Sequence, residues 1–359
     1  MTLLGEQPGI RFPGPDDTSA PAPPEWRGLA RDEVQLLVAR PHGVVHAHFR
    51  DLADHLERGD LLVVNDSATE ARQLDATLVG RGAVVLHLAQ RLRDDIWAVE
   101  LRTAPDARRA LLDAELGDVV TTRGLHLTLT APHPGRDSSP TGRGNRLWRA
   151  TVMGDVTAET REHGRPIAYG YLDREYPLAA YQSVFGVRPG SAEMPSAGRP
   201  FTSELVTALV ARGIQVAPIT LHTGVSSQEA GEAPMPEWFE VTATTARLVR
   251  ETKLAGGRVI AVGTTVTRAL ESAVVRRGRR LNSVRAASGW TDRVVTPQHP
   301  PAVVDGLITG WHDPHASHLL LVEAVAGRTL TQRAYDEAVA GGYLWHEFGD
   351  SALLLPEKR

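Results

Sequence analysis

The chain has 359 residues, 39 Lys+Arg against 43 Asp+Glu and no Cys, so a disulfide scaffold, a thiolate zinc site and a Cys nucleophile are each excluded. No apolar run approaches the ~18–20 residues of a membrane helix, and the opening MTLLGEQPGIRFPGPDD has no basic segment leading into an apolar one; the expectation is a cytoplasmic protein without a secretory signal. A net charge of −4 argues against wholesale wrapping of nucleic acid while permitting a local basic patch, and the length suggests two domains at roughly 100–200 residues each.

Residues 1–27, with Pro8, Pro13, Pro15, Pro21, Pro23 and Pro24 and few apolar anchors, read as an extended or mobile arm rather than a domain. From Val34 the pattern sharpens. VQLLVAR and VVHAHF read as strands about a Pro41-His42-Gly43 turn, DLADHLERG as a short helix closed by Gly59, and LLVVN as a buried strand ending in Asn65 and Asp66. Residues 67–155 change texture. Segments such as AVVLHLAQRL, IWAVELR and LWRATVMG alternate apolar and polar residues between Gly/Pro/Asp/Ser clusters, which predicts a small antiparallel β-barrel domain inserted into the chain. A loop around HPGRDSSPTGRGN is too polar to pack.

From about residue 156 strands and helices take turns. TSELVTALVARG is a helix stopped by Gly213, IQVAPITLH a strand, and TATTARLVRETKLAGG a helix capped by Thr242 and stopped by Gly256. RVIAVG is a strand running into Thr264-Thr265 and the helix VTRALESAVV; VVDGLIT is a strand, followed by a loop and the helix ASHLLLVEAVAG. The predicted fold class is α/β: residues 28–66 and 156–359 form a mostly parallel sheet with flanking helices, around the inserted barrel.

Four places could carry chemistry. In Gly257 to Thr265 a buried strand empties into a Gly-Thr-Thr turn and a helix, where free N–H groups, the helix dipole and Thr hydroxyls suit a polar or anionic ligand; the plain alternative is that Thr265 merely caps its helix. His222 and Asp66 end strands and should share the sheet edge with that turn, an arrangement suited to acid/base work. His312-Asp313-Pro314-His315-Ala316-Ser317-His318 invites a metal reading, but Pro314 breaks any shared helical face and no fourth ligand follows, so no metal is expected and one functional His at a strand end is the better reading. Arg276, Arg277, Arg279 and Arg280 are the one dense basic run, a solvated helix end or a phosphate contact. No G-x-G-x-x-G, P-loop or G-x-S-x-G motif occurs. Lys253 is one of only two lysines, the other being Lys358; it flanks the buried stripe of its helix, where a snorkelling surface charge is the plain expectation.

Taken in order, FRDLADHLERGDLLVVNDS, HGRPIAYGYL, YQSVFG, GSAEMPSAGRPFT, ITLHTG, PEWFEV, KLAGGRVIAVGTTVTRALES, VVDGLITGWHDPHASHLLLVEAVAG and YLWHEFGDSALLL resemble the S-adenosylmethionine:tRNA ribosyltransferase-isomerase family of queuosine biosynthesis, over most of residues 28–355. The resemblance implies an α/β domain with an inserted β-barrel and a transferase that uses the ribosyl part of S-adenosylmethionine as substrate, with no cofactor. A base takes a proton beside the sulfonium, adenine and methionine leave, and the rearranged ribosyl carbons join an amine, by default that of 7-aminomethyl-7-deazaguanine in tRNA, giving epoxyqueuosine. By position it implies Asp66, His222, Asp305 and His312 as catalytic, and Asn65, Tyr181, Gln182, Ser196, Gly263, Thr264, Thr265, Arg268, Glu271 and Asp350 as substrate-binding.

The chain also departs from the family pattern. Arg199-Pro200-Phe201-Thr202 stands where the family has Leu-His-Phe-Thr, Val225-Ser226-Ser227-Gln228-Glu229 follows His222-Thr223-Gly224 in a shortened loop, and Pro234-Met235-Pro236 replaces His-Met-His. Ala68 replaces an Arg, while His315 and His318 are additions. Lost donors beside retained sheet-edge motifs keep two further readings open: the same donor chemistry on a small-molecule amine or nucleoside, and an inactive ligand- or RNA-binding relative. S-adenosylmethionine is the expected partner, with tRNA docking through the Arg276–Arg280 run in the default reading.

Overall fold

The computed structural model describes residues 4–14, 18–135, 144–226, 231–275, 283–314 and 316–358. A hairpin, β1 (Gln35–Arg40) and β2 (Gly43–His48), precedes the fully buried β3 (Leu61–Asn65) and the short β4 (Ser67–Thr69). The strands β5 (Gln73–Leu78), β6 (Gly82–Arg91), β7 (Ile96–Thr103), β8 (Val119–Thr121), β9 (His126–Pro132) and β10 (Leu147–Met153) close into an antiparallel barrel in the order β10-β7-β6-β5-β8-β9. Period-2 alternation explains it: Leu74, Leu86, Val99, Leu127 and Ala150 fill the inside, and the intervening residues face out.

The chain then returns to α/β texture with α1 (Val156–His163), β11 (Arg188–Ser191), α2 (Ser203–Ala211), β12 (Gln215–Leu221), β13 (Glu237–Val241), α3 (Ala243–Leu254), β14 (Val259–Val262) and α4 (Thr264–Ser272). A two-residue ribbon, β15 (Val274–Val275) with β16 (Ser283–Val284), is followed by β17 (Ala287–Thr291), β18 (Gly306–Thr309), α5 (His318–Ala326), α6 (Arg328–Ala340) and β19 (Ser351–Leu354). Among the described residues nine strands make one sheet in the order β17-β13-β12-β3-β14-β18-β19-β1-β2. The sheet is mixed. Its centre, β12-β3-β14-β18, is wholly parallel, as is β19-β1, while the hairpins and the β18-β19 pairing are antiparallel. Apolar residues cover both faces, one cluster with α3 to α6 and the other with α2 and the turn Phe49–His55. That turn is a 3-10 helix where an ordinary short helix was expected.

The described part of the N-terminal arm is extended and docked. Ile10 is buried in the helix-side core, its N–H donating 2.7 Å to Glu323, and Ala20 and Ala22 pack with Tyr176, Tyr181 and Phe348. Single anchors separated by prolines hold it, which no periodicity announces. Arg199, a departure from the family pattern, belongs to the same docking: its buried guanidinium meets Glu25 at 2.8 Å, donates to the Ala180 carbonyl and lies over the Phe348 ring.

Candidate active site

Because β12, β3, β14 and β18 run parallel, their carboxyl ends share one edge, and register sets Asn65, Ile219, Gly263 and Thr309 nearly level. Ligands of open α/β sheets bind beyond such an edge. Four turns meet there.

The first two turns leave β3 and β12. Asn65 spends its amide on splicing these strands: Oδ1 accepts from the Ser67 and Leu221 N–H groups, and Nδ2 donates to the Leu221 carbonyl at 2.8 Å. Asp66 accepts the Thr220 hydroxyl at 2.6 Å and faces Arg188 at 3.7 Å. His222 follows β12. Its Nδ1 sits 2.8 Å from the Ser67 hydroxyl, which is 2.6 Å from that of Ser191, and its ring stacks on Trp238 with centroids 5.3 Å apart. Gly190 is required beside it, since a Cβ there would come within 2.5 Å of Nδ1. Burial depresses the basicity of His222, with Glu70 and Asp66 pulling the other way and Arg72 and Arg188 adding to the depression. A neutral imidazole with one nitrogen on a hydroxyl relay and no described partner on Nε2 is equipped to accept a proton.

The third turn starts α4. Gly263 is its N-cap at φ +101, and no side chain caps the helix, so Thr265 is not a cap. Thr264 and Thr265 are half-buried. The turn Ser196–Gly198 lies over this start, with Ala197 only 3.4 Å from where a Gly263 Cβ would sit, so Ser196 joins the group. The fourth turn follows β18. The Thr309 hydroxyl and His312 Nε2 are 3.1 Å apart, and the rings of His312 and His318 stack in parallel at 4.9 Å. His346 stacks on Tyr171 at 4.6 Å and approaches Asp313 at 3.8 Å. Burial holds His312 well below the usual imidazole range, reinforced by His318 and His346, and lowers His318 to about 4.

Other expected residues are engaged by the protein itself. Arg268 spends its guanidinium on Glu237 and on the carbonyls of Met235 and Arg293, and Glu271 accepts the N–H groups of Ala302, Val303 and Val304. Gln182 pairs its amide with both backbone groups of Thr69, the Tyr181 carbonyl takes the Thr69 hydroxyl, and Asp350 receives the Gln35 and Leu344 N–H groups at 2.7 Å each. Asp305 stands apart. It precedes β18 at the opposite, amino edge, where Oδ1 meets Lys253 at 2.5 Å and Oδ2 takes the Val259 N–H, so the fold does not bring it to the other candidates. Arg276, Arg277, Arg279, Arg280 and His315 lie outside the described residues.

The residue reading missed a carboxylate. Glu193 accepts from the Ser226 N–H at 3.0 Å, from its hydroxyl and from Tyr169, while its carbonyl takes the Thr223 hydroxyl at 2.5 Å. It thus ties the His222-Thr223-Gly224 turn to the segment before the barrel-side Tyr169. Its one sequence signal is a lone acid in the small-residue run GSAEMPSAG. Among the described residues no group of three His, Asp or Glu is placed to hold a metal, and no helix is long and apolar enough to cross a membrane.

A mixed α/β sheet with an inserted closed barrel and a His- and Thr-rich carboxyl edge defines an α/β enzyme-type scaffold with a polar ligand edge. The chain belongs to the queuosine biosynthesis protein family, whose profile matches residues 10–354. It is 31% identical over 351 residues to the S-adenosylmethionine:tRNA ribosyltransferase-isomerase of Thermotoga petrophila, covering 95% of this chain and 97% of that one. To the protein of the same name from Heliobacterium modesticaldum it is 34% identical over 356 residues, with the same coverage. The crystal structure of S-adenosylmethionine tRNA ribosyltransferase from Thermotoga maritima superposes with a TM-score of 0.52 at 27% identity, over 96% of this chain and 99% of that one.

Proposed function

We propose that the chain is an S-adenosylmethionine-consuming ribosyltransferase-isomerase acting on a tRNA amine. The observation that carries the reading is His222, half-buried, kept neutral, fixed through Nδ1 and without a partner on Nε2 among the described residues, on the edge where α4 begins uncapped. In this reading Nε2 takes the proton beside the sulfonium. The first turn of α4, with its free N–H groups and the hydroxyls of Thr264 and Thr265, receives the carboxylate or sugar hydroxyls of the donor. His312, neutral and held on Thr309, supplies a second proton-transfer group on the far side of that turn. Glu193 and Ser67 hold the His222 turn in place rather than react. The test is incubation with S-adenosylmethionine and tRNA carrying 7-aminomethyl-7-deazaguanine, with mass spectrometry for adenine, methionine and the modified base. Release of neither adenine nor methionine overturns the reading.

A second reading keeps the donor and exchanges tRNA for a small amine or nucleoside. It is favoured by the net charge of −4 and by Pro234 and Pro236 where the family places histidines. Adenine release with small amines but not with tRNA would install it.

A further inference from the structure

The barrel's outer wall meets the α/β part along an apolar seam that includes Ala98, Leu147, Ile167, Ala192, Val225 and Met235. β6 carries a bulge at this seam: Leu88 pairs with Val99, but Gln90 pairs with Ala98. Residues paired across strands share a face, so Gln90 points with Ala98 into the seam. Gln90 is 7% exposed, and neither Oε1 nor Nε2 has a partner; no other side chain among the described residues has two buried polar atoms bare. An amide so placed forgoes hydrogen bonds that water would have given it, a cost the fold recovers only if something else makes them.

The surroundings say where that something enters. The Ala89 carbonyl, one residue away, lies 3.8 Å from where a Gly224 Cβ would stand, so the bulge abuts the His222-Thr223-Gly224 turn. Arg72, whose carbonyl accepts the Leu88 N–H, flanks the same bulge; it is 9% exposed, lies over the Trp97 ring and leaves Nη1 bare. β-bulges recur next to active sites because they re-aim a side chain.

We propose that Gln90 is a base-reading residue: its amide pairs with the edge of a purine-type base that presents a hydrogen-bond donor beside an acceptor, seated in the seam between the barrel and the His222 turn. A primary amide makes this two-point pairing with such edges. The inference rests on the activity proposed above, in which two bases have such an edge: the adenine of the donor and the deazaguanine of the acceptor. Both place the ribosyl carbons within reach of the turn that carries His222, and the experiment distinguishes them.

Gln90→Met removes both polar atoms at the same length, and Gln90→Leu removes them on a side chain one atom shorter. Wild-type release of adenine from S-adenosylmethionine tests the activity first and by itself. Calorimetric affinity for adenine and for S-adenosylmethionine, KM for the tRNA and Tm are then compared between wild type and both variants. A loss of tenfold or more in adenine and S-adenosylmethionine affinity assigns Gln90 to the donor base, and a tenfold rise confined to the tRNA KM, with kcat changed less, assigns it to the acceptor base. In either case Tm is not lowered, because an orphaned amide has been removed. Changes under twofold in every affinity, with a raised Tm, overturn the proposal and leave Gln90 as an amide solvated by buried water. If the wild type releases no adenine, direct binding still decides: a tenfold loss in the variants of calorimetric affinity either for adenine or for tRNA carrying 7-aminomethyl-7-deazaguanine supports Gln90, and failure of both to bind, or both bound unchanged, refutes it.

Discussion

The two edges of the central sheet carry similar residues and treat them oppositely. At the amino edge, charges close on one another. Asp60, 1% exposed, takes the side chain of Arg258 at 2.7 Å together with the N–H groups of Arg258 and Glu57, and Lys253 meets Asp305. At the carboxyl edge Asn65 and Asp66 are engaged too, but several other polar groups stay open. α4 begins without a side-chain cap, His222 Nε2 has no partner among the described residues, and His312 and His318 are held neutral. A buried charge must be paired to be tolerated, whereas a site needs groups whose partners arrive with the substrate. In the proposed function, the same sheet stores stability at one edge and reactivity at the other.

The largest expected effect tests the closed edge. Asp60→Ala leaves the buried Arg258 guanidinium with only the exposed Glu57 carboxylate, 3.3 Å away, and strands two backbone donors; truncating one partner of a buried pair costs about 3–5 kcal/mol. Urea denaturation should show that loss while turnover per folded molecule is unchanged. A loss below about 1 kcal/mol, the range of exposed pairs, would break the comparison. At the open edge the order reverses. Replacing Thr264 and Thr265 together by Val should weaken S-adenosylmethionine binding about tenfold, the sum of two net hydrogen bonds, with little change in Tm. Unchanged calorimetric affinity would reduce the turn to a mere helix start.

Much of this contrast could be read from residues alone. LLVVND, ITLHTG and RVIAVGTT each run a buried strand into a polar turn, and parallel pairing brings such ends to one edge. What could not be read was whether a polar side chain had donors left over. Arg268 and Glu271 look like ligand groups on a helix near the site, yet their partners, Glu237 and residues 302–304, are 31 to 33 positions away. Asp305 sits in a strand-like run, and only the strand's start at Gly306 reveals that it faces the other edge. The sheet, expected to be mostly parallel, is mixed because β19 enters antiparallel to β18, a pairing between segments more than forty residues apart. The docked arm escaped because Ile10, Ala20 and Ala22 are isolated anchors without a period.

Acid stability sharpens the comparison further. His318, lowered to about 4 by burial and by Arg268, stacks on His312, whose basicity His346 also depresses; His346 is itself lowered by burial, with Asp313 pulling the other way. Their folded pKa values lie below the ordinary ~6.5 of an unfolded imidazole, so the unfolded chain binds more protons as pH drops. Their contribution is whole above about pH 6.5 and is lost as pH falls toward about 4. His318→Phe keeps a ring against His312 and cannot take up a proton. Its Tm should fall less steeply than that of the wild type between those pH values and match it near pH 8. An identical slope in both proteins would mean that other groups govern acid unfolding.

The smallest effect belongs to Lys253, the lysine retained in a chain that writes nearly every other cation as Arg. Its ammonium meets Asp305 Oδ1, and Oδ2 is engaged by the Val259 N–H at 2.9 Å. An oxygen that holds a backbone N–H can still take a guanidinium, as those of Asp60 do, so an Arg can keep this pair if its longer side chain finds room. Lys253→Arg should exchange one ion pair for another at a partly exposed site. The cost should stay under about 1 kcal/mol, read as a slight fall in Tm, with adenine release unchanged because this edge lies across the sheet from His222. Lys253→Ala should cost more than Lys253→Arg, since it leaves the Asp305 carboxylate with its backbone donor alone. If Lys253→Arg instead removes turnover while Tm holds, a compact ammonium at this position takes part in the chemistry, and the division of labour between the two edges fails.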